Sequence, residues 1–181
     1  MRRLFGVAVL VLAVTALSAT SASAAGPAPP ASAQAVVERV SMRLDCSRLS
    51  GSAVQYAASH GYCPASGAAA VPETTVDGNC GDSFLYMWNH RGGEATFWYG
   101  FHSTKGTVLH RDLHVSWVNW NQSVLGNFND SIYMWDASYS QTTSKYTKPG
   151  FVSGVLYGDV LLWWGGICTL LNPTSSTTVT W

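Results

Sequence analysis

From residue 83 onward the chain alternates apolar and polar positions, and the alternating runs are separated by Gly, Asn, Asp and Pro. A period of two is the strand signature, because successive side chains leave a strand on opposite faces. Strands are predicted over 83–89, 95–102, 108–119, 131–135, 151–156, 160–164 and 177–181. Turn signals at 91–93, 105–106, 121–129, 148–150, 158–159 and 165–166 leave connections of hairpin length, too short for crossover helices. About seven antiparallel strands therefore predict a mainly β fold, a sandwich or barrel. Ahead of them the spacing changes. Val36, Val37, Val40 and Leu44, then Val54, Ala57 and Ala58, fall at helical intervals, with Ser50-Gly51-Ser52 between the two groups and Gly61 as a stop. Two short helices are expected there, a small helical cap that with its connector spans 36–72, followed by a β domain over 73–181.

The first 25 residues read differently. Met1-Arg2-Arg3 is followed by an uncharged apolar run from Leu4 to Val14, and Ala22-Ser23-Ala24 resembles a cleavage site. That order is a secretory signal peptide. The apolar run of about 11 residues is too short for a membrane span, which needs about 20. Residues 26–35 (GPAPPASAQA) have no periodicity and read as a tether. The expected mature protein is a secreted, extracellular domain with no membrane attachment after cleavage.

Export changes the reading of the four cysteines. In an oxidising compartment an even number reads as disulfides. Three pairings are possible. The favoured one is Cys46–Cys63, closing a short local loop, with Cys80–Cys168 tying the start of the β region to its end. A zinc site would need closely spaced cysteine pairs, which the sequence lacks. Loss of Arg2 and Arg3 with the signal leaves a net charge of about −2. The remaining Lys and Arg are scattered, with no basic stripe to neutralise phosphates, so nucleic acid is not an expected partner.

Two constellations could carry chemistry. In the strand over 108–119, alternation places His110, Asp112, His114 and Ser116 on one face and Leu109, Arg111, Leu113, Val115 and Trp117 on the other. The second set is mostly apolar and should face the core. His110, Asp112 and His114 then form a candidate metal or hydrolytic set, with His102 or His90 as a further ligand, although three ligands on one straight strand rarely converge on one ion. No Gly-x-Ser-x-Gly elbow and no phosphate-binding Gly loop is present, and no cofactor is implied. The second constellation is aromatic. Eight Trp are more than a core of this size can hide, and alternation exposes some of them. Trp98, Trp120, Trp135 and Trp164 are the candidate ligand-binding residues, with Trp163 and Trp164 forced onto opposite faces. One internal echo stands out: DSFLYMWN at 82–89 and DSIYMWD at 130–136 match with one residue omitted.

The stretch 81–120 and the segment Leu162-Trp163-Trp164-Gly165-Gly166-Ile167-Cys168 resemble small exported proteins of actinobacteria. The resemblance implies secretion from a Gram-positive cell and no particular activity. Three function classes follow from the residues. Aromatic side chains among Asn, Asp and Ser, with few charges, suit a non-catalytic module for polysaccharide or cell-wall glycan. Two disulfides and polar loops over 121–129 and 137–148 suit a protease inhibitor or other protein-binding domain. The His110, Asp112 and His114 set would suit a hydrolase. Oligomeric state has no signature in the sequence.

Overall fold

The computed structural model describes residues 38–63 and 80–181. The expected signal peptide, tether and connector lie outside the described residues. Among the described residues, nine strands and one α-helix form in the order β1 (Arg39–Leu44), α1 (Ser52–Ser59), β2 (Gly81–Arg91), β3 (Glu94–Ser103), β4 (Val108–Asn119), β5 (Val124–Asp136), β6 (Ser138–Tyr146), β7 (Gly150–Leu162), β8 (Ile167–Leu170) and β9 (Thr174–Val179). All pairings are antiparallel. The strand order is β5-β4-β7-β8-β1-β2-β3-β6.

This sheet curls into a nearly closed barrel by two devices. On one side β9 pairs with the first half of β7, while the second half of β7 pairs with β8. β9 also reaches β2 through side chains: Ser175 Oγ accepts from the Met87 amide at 3.1 Å, and Asn89 Nδ2 donates to Thr180 Oγ1 at 2.7 Å. On the other side the two edge strands, β5 and β6, share no ladder. There Asp130 of β5 accepts hydrogen bonds from Tyr99 of β3 and Tyr139 of β6, and pairs with Arg111 of β4 at 2.8 Å. Phe97, Phe101, Leu113, Val115, Val152, Leu156, Val160 and Leu162 fill the interior.

Cys46–Cys63 and Cys80–Cys168 are both disulfide-bonded, with Cα separations of 5.9 and 6.1 Å. The first ties the 3₁₀ turn Cys46–Arg48 to the residues after α1. The helix buries Ala53 and Ala57, and its Tyr56 ring packs on Trp163 and Trp164. The second joins the residue before β2 to β8. Bonds of this kind form and persist in oxidising compartments.

Several expectations change. The first helical group is a strand: Val40, Met42 and Leu44 face inward and Arg39, Ser41 and Arg43 outward, because β1 fills the gap between β8 and β2 and satisfies backbone groups on both sides. The strands expected at 151–156 and 160–164 are one strand, and Gly158-Asp159 is not a turn. Gly158 takes φ +134°, and a Cβ there would stand 2.0 Å from the carbonyl oxygen of Asp112, so glycine lets β7 run on against β4. The loops expected at 121–129 and 137–148 are largely β5 and β6. Both are edge strands, and β6 is polar on its outer face, which explains its weak apolar signal.

Candidate functional site

The barrel presents two broad outer faces. On the first, formed by β5, β4, β7 and β9, the register sets outward side chains in rows across the strands. His114 stands between Asn129 and Tyr157, Ser116 between Asn127 and Val155, and Val118 between Leu125 and Ser153. At one end of this face is Trp120, 64% exposed, and at the other are Tyr133 and Trp135, 81% and 72% exposed. Trp120 to His110 spans ten residues, or about 33 Å at about 3.3 Å per residue.

Trp120 is exposed but held. Asn119, fully buried, caps the hairpin by accepting from the amides of Asn121 and Gln122, and its Nδ2 donates to the carbonyls of Thr147, Lys148 and Pro149. The next residue therefore has a fixed backbone, with the Trp120 amide on the Phe151 carbonyl at 3.0 Å. Its indole N–H then donates to Ser153 Oγ at 3.1 Å, so the ring lies toward β7. Beside it a shallow groove of about 590 Å³ is lined by Ser116, Val118, Leu125, Ser153, Val155 and Thr174. Further along, Tyr157 stacks on His114, with ring centres 5.3 Å apart, and its hydroxyl meets Ser116 Oγ at 3.2 Å.

The face expected for His110, Asp112 and His114 is the one they occupy, but the set does not converge. His110 meets Ser131 Oγ at 3.4 Å and the edge of Tyr133. His114 uses Nδ1 on Asn129 at 2.8 Å and Nε2 on Asp112 at 3.4 Å. His102 is on β3, on the other outer face, hydrogen-bonded to Ser138 at 2.7 Å. Among the described residues no group of three His, Cys, Asp or Glu is placed to hold a metal ion.

The four candidate Trp separate. Trp120 and Trp135 are exposed on the first face. Trp98 is half-buried on the second, packed edge-on to Phe84. Trp164 is 7% exposed, its indole N–H donates to the Lys105 carbonyl and its ring stacks on Tyr56, so it holds the helix rather than a ligand. Its neighbour Trp163 is 47% exposed, but both Trp lie in the turn after β7 and both rings meet Tyr56, so the expected split onto opposite strand faces does not form. Phe151 and Tyr157, not singled out beforehand, complete the first face. Phe151 opens the strand expected over 151–156, and Tyr157 falls just past its expected end, beside the turn read at Gly158-Asp159.

At the β5–β6 seam a cleft of about 290 Å³ contains Tyr99, Arg111, Asp130 and Tyr139. Burial, reinforced by the Asp130 charge, pushes both phenols above the usual tyrosine range. The Arg111 guanidinium also lies 3.6 Å over the Tyr139 ring. Tyr99, Arg111 and Tyr139 each engage Asp130, which fits a clamp between strand edges.

Comparison of the chain with protein-family models, with curated proteins and with solved structures found no match.

Proposed function

We propose that this chain is a secreted, non-catalytic binding domain for polysaccharide or cell-wall glycan, and that the outer face of β5, β4, β7 and β9 is its contact surface. The observation that supports this reading is the run of exposed rings from Trp120 to Trp135 on one face, set among Ser, Thr and Asn. A sugar ring has an apolar C–H face and a hydroxyl rim, and flat aromatic rings beside hydroxyl and amide groups complement both. The Trp120 ring is pre-positioned by Asn119 and Ser153, which lowers the entropy cost of binding there. The hydrolase reading has less support, because His110 and His114 engage different partners. The inhibitor reading loses its insertion loops, since the segments 121–129 and 137–148 are mostly strand.

Covering one face of an indole removes on the order of 100 Å² of apolar surface, about 2.5 kcal/mol at about 25 cal/mol per Å². Trp120→Ala and Trp135→Ala should therefore each weaken retention tenfold or more on an insoluble glycan that the wild-type protein binds. Sedimentation with cellulose, chitin and peptidoglycan measures this. Wild-type protein that stays in the supernatant with all three would overturn the proposal.

A further inference from the structure

The second outer face, formed by β1, β2, β3 and β6, carries a depression whose shape follows from the register. Arg39, Phe84, Gly100 and Ser140 stand abreast in one row across the four strands. Asp82, His102 and Ser138 form the row on one side of it, and Tyr86, Trp98 and Thr142 the row on the other. Gly100 contributes no side chain, so a gap opens between Trp98 and His102, about 13 Å apart along β3 at about 3.3 Å per residue. The gap is enforced by the backbone: a Cβ at Gly100 would stand 2.0 Å from the carbonyl oxygen of Tyr139. The resulting depression measures about 550 Å³.

Its walls differ in chemistry. On one side Trp98 packs edge-on to Phe84, with ring centres 4.7 Å apart. On the other, Arg39 lies over Phe84 with its guanidinium carbon 5.1 Å from the ring centre, and it pairs with Asp82. His102 and Ser138 hold each other at 2.7 Å. The polar groups are thus fixed by one another and open to solvent, facing an indole across the depression, with Phe84 as part of its lining.

We propose that this depression is a second binding site, for a single neutral pyranose ring packed on Trp98 with adjacent hydroxyls held by Asp82 and Arg39. A carboxylate accepts from two neighbouring hydroxyls and a guanidinium donates to two, in charge-assisted bonds stronger than neutral ones. The Arg39–Asp82 pair is neutral overall, and an anionic ligand would have to displace Asp82 from Arg39, so a neutral ring fits best. This site shares no residue with the Trp120 face and stands or falls independently of it.

Two-dimensional ¹H–¹⁵N NMR on the mature protein tests it, with methyl glycosides of glucose, galactose, mannose and N-acetylglucosamine and their soluble oligosaccharides as probes. The indole N–H resonance of Trp98, identified by its absence in Trp98→Phe, should shift saturably with at least one probe. Saturation by a methyl glycoside identifies a free sugar as sufficient. Saturation by the oligosaccharide alone identifies a chain end. Asp82→Asn, which keeps the side-chain shape, should weaken binding at least tenfold. Ser140→Phe, which fills the gap from an exposed position, should abolish it, and Trp120→Ala should leave it unchanged. Absence of a saturable shift with every probe, or an unchanged shift in Ser140→Phe, would overturn the proposal.

Discussion

Asp130→Ala is the substitution expected to damage this fold most for the loss of one small side chain. The carboxylate is 16% exposed and holds three partners on three other strands: Arg111 on β4, Tyr99 on β3 and Tyr139 on β6. It links the two sheet edges that share no ladder, beside a contact of Lys145 on β6 with the Phe128 ring on β5. Removing it leaves Arg111, 11% exposed, as an uncompensated cation, which costs about 3–5 kcal/mol in comparable buried pairs. The two phenols lose an acceptor at about 1 kcal/mol each. Water entering the seam cleft recovers part of this, so about 4 kcal/mol is expected, a lowering of Tm by roughly 10–15 °C for a domain of this size. Thermal melting followed by circular dichroism and by Trp fluorescence, with disulfides intact, is the assay. Asp130→Asn, which keeps an acceptor oxygen but not the charge, should fall between wild type and Ala. Replacing the pair together, as Arg111→Met with Asp130→Leu, should recover most of the loss, because no buried charge is then left alone. A Tm for Asp130→Ala within about 2 °C of wild type would refute the clamp.

The same seam predicts an alkaline limit. Tyr99 and Tyr139 are raised above their ordinary value of 10.0 by burial first and Asp130 second. Their contribution is complete below about pH 10, where the unfolded phenols begin to ionise, and is lost as pH rises further. Urea midpoints measured from pH 8 to pH 11 should fall in wild type and fall less in Tyr99→Phe with Tyr139→Phe; parallel curves would contradict this. The disulfides should differ in worth. Closing 88 residues against 17 implies losses of about 4.6 and about 3 kcal/mol on the loop-entropy relation for the paired Ser variants at Cys80/Cys168 and Cys46/Cys63. Urea unfolding that ranks them in the opposite order would show that native contacts around the bridges dominate.

Local pattern was enough wherever one face of a strand is buried. In β4 the alternation of His110, Asp112 and His114 against Leu113, Val115 and Trp117 fixes both element and orientation, since a one-residue slip would put every apolar group in water. Of three possible cysteine pairings, the favoured one, a short local loop plus a tie from the start of the β region to its end, is the one that forms. Where both faces are largely wet the pattern fades, and β6 reads as a loop until β3 supplies its ladder. The echo between 82–89 and 130–136 shows the difference in miniature. Tyr86 and Tyr133 both point outward and Met87 and Met134 inward, yet the one-residue omission turns Asp82 to the outer face and Asp130 into the seam.

The sequence by itself determined the β class, an even set of cysteines for two disulfides, the inward set of β4 from Arg111 onward and the surplus of aromatic rings, because these depend on short periods and residue counts; the bulge between Val108 and His110, which puts Val108 rather than Leu109 in the core, came only with the structure. The tertiary structure decided which rings meet solvent, since exposure depends on which strands lie alongside. It placed Trp164 under α1 and left Trp120 and Trp135 open. It also made Arg111 a buried clamp and Gly100 the floor of a depression, because both roles need partners from strands distant in the chain, which no local pattern encodes.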